Sequence, residues 1–274
     1  MTTNKMTSDN KMTSNKMTSD SAVSAGSEIQ QPNITHLSAG VDSNLAIAQT
    51  IAKAMDALAM DALATNGQPT ALYLSGGSTP GPIYKALADM PRDWANTHLA
   101  LVDERWVDEA DAGSNAALIK STLLQSHGAS AHFVPMKNSA ETPFAGAQQL
   151  NEVYAGLPKP SIAILGMGPD GHTASWFANA DGLDVALDAH SSQYVCGIEA
   201  IKTKVTGDYL QRMTMTRHAL EACNHLFLII SGEEKWSLLE PILAGSASDL
   251  PVATLIQCAG NKLHIFVLDG GVNA

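Results

Sequence analysis

Four short apolar runs, each stopped by a glycine-rich or charged turn and followed by a stretch of helical character, limit this chain more than any other feature. The runs are Ala71 to Ser75, His98 to Val102, Ser161 to Leu165 and His225 to Ile230, and a fifth, Leu263 to Leu268, closes the pattern. Helical stretches follow at Pro80 to Met90, Ser114 to Leu124, from His172 onward, and from Gly232 through Leu243. A further long helix is expected over Val41 to Ala64, where Ile47, Ile51, Met55, Leu58 and Leu63 recur at roughly helical spacing. Strands alternating with helices predict an α/β fold: a doubly wound, mainly parallel sheet with helices on both faces. In such sheets ligands sit beyond the carboxyl ends of the strands, where Gly76 to Pro80, Asp103 to Arg105 and Gly166 to His172 all fall.

Composition narrows the function classes. A formal net charge of −11 argues against a nucleic-acid or anionic-membrane partner, because phosphate-rich surfaces are held by basic faces. Any anionic ligand must be small and met by local cations, and only 16 Lys and Arg are present. Cys196, Cys223 and Cys258 lie far apart without metal-ligand or CxxC spacing, which fits reduced thiols in the cytoplasm. No apolar run reaches the length of a membrane span. Residues 1–31 repeat Asn-Lys-Met-Thr-Ser from Asn4, Asn10 and Asn15 and carry almost no branched apolar side chains. They are expected to form a disordered tail, leaving residues 32–274 as one α/β catalytic domain.

Three turns carry the chemistry. In Gly76-Gly77-Ser78-Thr79-Pro80 the glycines permit a sharp turn, Thr79 can cap the following helix and Pro80 suits its first position. Free amides there, with the Ser78 and Thr79 hydroxyls, suit a phosphate, although an ordinary capped turn has the same look. Asp103-Glu104-Arg105 puts acids beside an arginine that can pair with phosphate or polarise a carbonyl; a salt-bridged surface turn is the plain alternative. The strongest signal is Gly166-Met167-Gly168-Pro169-Asp170-Gly171-His172-Thr173-Ala174-Ser175. His172 is expected at a helix start, where the dipole favours a neutral, proton-accepting ring, and Asp170 can orient that ring. Arg212 and Lys235, after apparent strands, add positive charge.

In order along the chain, these motifs resemble the 6-phosphogluconolactonase family, within the group that includes glucosamine-6-phosphate deaminase. The resemblance rests on Leu74 to Pro80, Val102 to Val107, Ser114-Asn115, Gly166 to Phe177, Arg212 to Thr216 and Ser231 to Lys235, and covers roughly residues 36–270. It implies hydrolysis of 6-phospho-D-glucono-1,5-lactone to 6-phosphogluconate in the pentose phosphate pathway, without metal or cofactor. It implies His172 as general base with Asp170 beside it. It also implies a phosphate held by Gly76, Gly77, Ser78, Thr79, Arg212 and Lys235, with Arg105, Asp103 and Gly168 beside the substrate. Two places depart from the family pattern: Lys202 to Leu210 lacks a Pro-rich approach to Arg212, and Ala178 to Gly182 replaces a Pro-Gly turn. The alternatives are a deaminase or isomerase of the same fold, which needs an extra carboxylate where Phe177 stands, and a non-catalytic sugar-phosphate-binding regulator.

Overall fold

The computed structural model describes residues 1–2, 31–65, 68–159 and 161–270. Most of the expected tail lies outside them. The elements run β1 (Asn33–Ser38), α1 (Val41–Thr65), β2 (Thr70–Leu74), α2 (Pro80–Ala88), β3 (Thr97–Leu101), β4 (Asp103–Arg105), α3 (Asn115–Thr122), β5 (His132–Phe133), α4 (Pro143–Ala155) and β6 (Ser161–Gly166). They continue with α5 (Leu183–Leu187), β7 (Val195–Glu199), β8 (Gln211–Met215), α6 (Arg217–Glu221), β9 (His225–Ser231), α7 (Glu233–Leu243), α8 (Pro251–Ala259) and β10 (Leu263–Asp269).

Seven strands form a parallel sheet in the order β1-β10-β9-β6-β2-β3-β5. The five strands anticipated from apolar runs fill its centre; Leu72, Leu74, Leu99, Leu101, Ile164, Leu228 and Ile230 have no exposed surface. Such runs are stable only where both faces are covered. From β2 the chain steps toward β3, whereas from β6 it steps the other way to β9. Right-handed crossovers therefore put the connecting helices on opposite faces and leave a crevice between the carboxyl ends of β2 and β6. On α1, Ile47, Ile51, Met55 and Leu58 are buried as their spacing requires.

A second sheet was not anticipated. Strands β4, β8 and β7 pair antiparallel in that order, so Asp103 to Arg105 form a strand and not a turn, and Arg212 lies within β8 and not after a strand. Val102, the single residue between β3 and β4, joins the two sheets. Its N–H donates to the Leu74 carbonyl at 2.9 Å, and its carbonyl accepts from the Met215 N–H at 2.7 Å.

The helix expected from His172 is also absent. Between β6 and α5 the chain makes tight turns and isolated bridges, Met167 with Thr173 and Thr173 with Trp176. Local chemistry explains this: Gly171 and Ala174 adopt positive φ of 77° and 51°, and the Thr173 hydroxyl donates to the Gly166 carbonyl at 2.9 Å. Each of these bonds offers the backbone an alternative to the helical ladder.

Candidate active site

The crevice at the β2/β6 switch holds a cavity of about 210 Å³. Its walls include Gly76, Gly77, Ser78 and Thr79 after β2, Asp103 and Arg105 on β4, Gly168 and His172 after β6, Arg212 on β8 and Lys235 on α7. Three cations thus face one carboxylate in a chain of strongly negative charge. Of the eleven positions singled out from sequence, only Asp170 stands outside this wall, behind the His172 ring. Neither Lys202 nor Lys204 reaches it; Lys202 pairs with Asp208 at the surface at 2.5 Å.

His172 owes its position to hydrogen bonds and to a missing side chain. Its Nδ1 meets Asp170 Oδ1 at 2.5 Å, and the same oxygen accepts from the His172 N–H at 3.3 Å. The Gly168 N–H donates to the His172 carbonyl at 2.9 Å. A Cβ at Gly168 would fall 2.1 Å from His172 Cε1 and 2.7 Å from Asp170 Oδ1, so only glycine leaves room for this pair. Burial raises the Asp170 carboxyl, but its hydrogen bond and charge contact with His172 outweigh that and hold it below the usual range. An ionised Asp170 favours the tautomer with a proton on Nδ1, which leaves Nε2 as the acceptor. What orients the imidazole is thus a carboxylate partner and not a helix terminus. The ring also packs on Phe177, 4.2 Å between centroids.

Arg105 and Arg212 are direct cross-strand partners, β4 against β8. Like charges in that relation repel, and each is held by oxygens. Arg212 Nε donates to the Tyr209 carbonyl at 2.9 Å, and its guanidinium lies 3.9 Å from Asp103 Oδ2 and 4.8 Å from the Phe177 ring centroid. Burial lowers its affinity for a proton, with Asp103 opposing. Arg105 donates to the Gly113 carbonyl at 2.6 Å, while its buried Nε has no partner. Asp103 itself accepts from the Ser175 hydroxyl at 2.6 Å through the same oxygen that faces Arg212. Burial also lowers the Lys235 ammonium, with Glu234 opposing.

Among the described residues, none pairs with the Ser78 or Thr79 hydroxyl of the loop after β2. Thr79 makes no side-chain cap, contrary to the sequence expectation, because it already has helical φ and ψ of −66° and −47°; Pro80 does occupy the first turn. Gly77 has φ of 105°, a conformation that side chains resist.

Sequence reasoning passed over two residues here. A Cβ at Gly76 would lie 1.8 Å from Asn115 Oδ1, so Asn115 packs under the loop while its Nδ2 donates to the Asp103 carbonyl at 2.8 Å. Buried Glu104 accepts from the N–H groups of Arg105, Asn115 and Ala116, each at 2.8 Å, and so ties the start of α3 to β4. Only the order Ser114-Asn115, opening a helix after Asp-Glu-Arg, signalled them.

The chain is similar to known proteins over most of its length. A model of the family described as glucosamine-6-phosphate isomerases/6-phosphogluconolactonase matches residues 42–265. A 6-phosphogluconolactonase of Xylella fastidiosa is 33% identical over 225 residues, 82% of this chain and 92% of the relative. One of Rhizobium meliloti is 34% identical over 223 residues, 81% and 94% respectively. The crystal structure of a 6-phosphogluconolactonase from Shewanella baltica superposes with a TM-score of 0.75 at 27% identity, covering 88% of this chain and 99% of that one.

Proposed function

The chain belongs to the family of glucosamine-6-phosphate isomerases and 6-phosphogluconolactonases, and from that premise we propose that it is a hydrolase opening 6-phospho-D-glucono-1,5-lactone to 6-phosphogluconate, in the pentose phosphate pathway, with His172 as general base. The observation that carries the mechanism is His172, tied to Asp170 at 2.5 Å through Nδ1, in the wall of a cavity lined by Arg105, Arg212 and Lys235.

In this mechanism Nε2 accepts a proton from water as its oxygen bonds to the lactone carbonyl carbon, and the imidazolium that forms is stabilised by Asp170. The carbonyl oxygen becomes an oxyanion among fixed cations. When it collapses, the bond to the ring oxygen breaks, and that oxygen takes the proton back from His172 to become a hydroxyl. The new carboxylic acid ionises in water. Gly76 to Thr79 and Lys235 hold the phosphate, together with Arg212; Arg105 lies beside the ring. The steps use neither metal nor cofactor.

Phe177 favours this reading over a deaminase. Ring opening and isomerisation require a second proton-carrying acid near the histidine, whereas here an aromatic ring packs against both His172 and Arg212. Among the described residues no helix is long and apolar enough to cross a membrane. We place the enzyme in the cytoplasm, which three unpaired cysteines support, and assign catalysis to one α/β domain over residues 32–274. The test is a substrate panel: hydrolysis of the lactone above its spontaneous rate, with no ammonia from glucosamine 6-phosphate. Ammonia release without lactone hydrolysis would replace this assignment with the deaminase.

A further inference from the structure

Two surface loops meet at the rim of the cavity, and their contact bears on Arg105. One joins β4 to α3 and carries Asp111 and Gly113; the other joins β7 to β8 and carries Tyr209. The Tyr209 hydroxyl donates to Asp111 Oδ1 at 2.8 Å, bridging 98 positions of sequence. The same Asp111 oxygen accepts from the Gly113 N–H at 2.7 Å, which fixes the turn ahead of α3. The Gly113 backbone lies against the Tyr209 ring so closely that a Cβ there would sit 2.4 to 2.9 Å from three ring carbons. Arg105 completes the cluster: it donates to the Gly113 carbonyl at 2.6 Å, and its guanidinium carbon lies 5.8 Å from the Tyr209 ring centroid.

We propose that Tyr209, Asp111 and Gly113 form a latch whose purpose is to position Arg105, so that Tyr209 and Asp111 are positioning residues for the reaction although neither lines the cavity. The inference rests on the lactonase reading for its kinetic readout, but the geometry does not depend on it. Three features single out this cluster from ordinary surface contacts. It joins two loops that leave the same end of the small sheet and are 98 positions apart in sequence. Two of its hydrogen bonds converge on Asp111 Oδ1, one of them from the N–H of Gly113, the residue whose carbonyl holds Arg105. And Arg105 needs such a clamp, because its strand neighbour is Arg212 and its Nε is buried without a partner. An arginine whose cross-strand neighbour repels it and whose other contacts are few will leave its productive rotamer unless its carbonyl partner is immobile. The latch immobilises that carbonyl. It takes no part in proton transfer, so its loss should alter how often the guanidinium is in place and not the chemistry of His172.

The test compares five single variants in the full-length enzyme, at Tyr209, Gly113 and Asp111, each also combined with Arg105→Ala. Tyr209→Phe keeps the ring and loses the hydroxyl; Tyr209→Leu loses the ring surface as well. Gly113→Ala pushes the ring away while leaving both latch side chains intact, and Asp111→Asn keeps an acceptor oxygen where Asp111→Ala would not. Misplacing a positioned group by about 1 Å costs on the order of 100-fold, whereas removing the Tyr209 hydroxyl takes one bond from the Asp111 carboxylate and leaves the ring against Gly113. Tyr209→Leu and Gly113→Ala should therefore lower kcat/KM by roughly 10- to 100-fold and Tyr209→Phe by less than about tenfold. Asp111→Asn should recover most of what Asp111→Ala loses. In the Arg105→Ala background these losses should vanish, because there is no guanidinium left to position. Thermal midpoints of all variants show whether folding is intact, and affinity for 6-phosphogluconate by calorimetry gives a readout independent of turnover. Losses that persist unchanged in the Arg105→Ala background, or that track the thermal midpoint alone, would overturn the latch. Absence of lactone hydrolysis by the unaltered enzyme would overturn the functional reading instead, and the latch would then stand or fall on whether Gly113→Ala weakens 6-phosphogluconate binding.

Discussion

Replacing Gly168 with alanine adds one methyl group and removes no functional group, yet it should disable the enzyme. The added carbon would lie 2.1 Å from His172 Cε1 and 2.2 Å from Nδ1, where ordinary contact begins near 3.4 Å. The ring must therefore retreat by more than about 1 Å, breaking its 2.5 Å bond to Asp170, because a hydrogen bond does not survive that displacement. Displacement of a catalytic group by about 1 Å costs on the order of 100-fold, or about 2.7 kcal/mol of transition-state stabilisation. His172→Ala should lose about 10²- to 10⁴-fold, the usual worth of general-base catalysis. Gly168→Ala should therefore fall near the lower end of that range, mainly in kcat, with KM little changed since the phosphate contacts lie elsewhere. Gly168 does not have positive φ, so the backbone accepts alanine without strain and folding is not at stake. The assay is initial-rate lactone hydrolysis with spontaneous opening subtracted, beside a thermal melt. Near-normal turnover at an unchanged midpoint would show that the fixed His172–Asp170 geometry is not what drives hydrolysis.

Lys235 and Arg212, the cations proposed for the phosphate, should behave differently on removal. Lys235→Ala should raise KM with little change in thermal midpoint, whereas Arg212→Ala should raise KM and also destabilise by roughly 3 kcal/mol, since it leaves Asp103 buried beside an empty place; equal midpoints for the two variants would contradict this. The Asp170 carboxyl is held below its unfolded value, so it favours the native state above that value and stops doing so as pH falls through the folded one. The stability gap between the parent and Asp170→Asn should accordingly be present at neutral pH and close below about pH 4; circular-dichroism melts across pH, with a gap constant down to the acid limit, would refute it. Deleting residues 1–31 should leave activity and midpoint nearly unchanged, because the segment offers little apolar surface; a large loss of either would show that it packs on the enzyme.

The central strands were legible because each is buried on both faces and so reads as an unbroken apolar run, and α1, α2, α3 and α7 were legible from spacing and punctuation. The small sheet was not. Strand β4 is Asp-Glu-Arg, and β8 begins Gln-Arg; Arg212 is met by the Tyr209 carbonyl and by Asp103 on the neighbouring strand, and Glu104 by amides at the start of α3, pairings that follow no apolar alternation. Strand β1 escaped notice because its residues are mostly exposed. Most of the candidate site was legible because its residues sit where strands end, and those ends converge by topology alone. Asn115 was missed because its role is to fill the space that Gly76 vacates, a contact between turns 39 positions apart. The helix expected at His172 failed since its sequence satisfies the backbone through turns instead.

Val102 gives the site a fixed gauge. The Gly76 to Thr79 loop and His172 follow strands of the large sheet, the two arginines lie in the small one, and the peptide groups of this one residue are bonded into both. The interval between the halves of the cavity is thus set by covalent geometry and two main-chain hydrogen bonds, which no side-chain exchange can lengthen. On the proposed function, a sugar acid one carbon shorter or longer would meet the same interval with its phosphate and carbonyl at the wrong separation. It would satisfy one half of the cavity or the other, so selectivity for chain length would arise in the backbone, before any side chain discriminates.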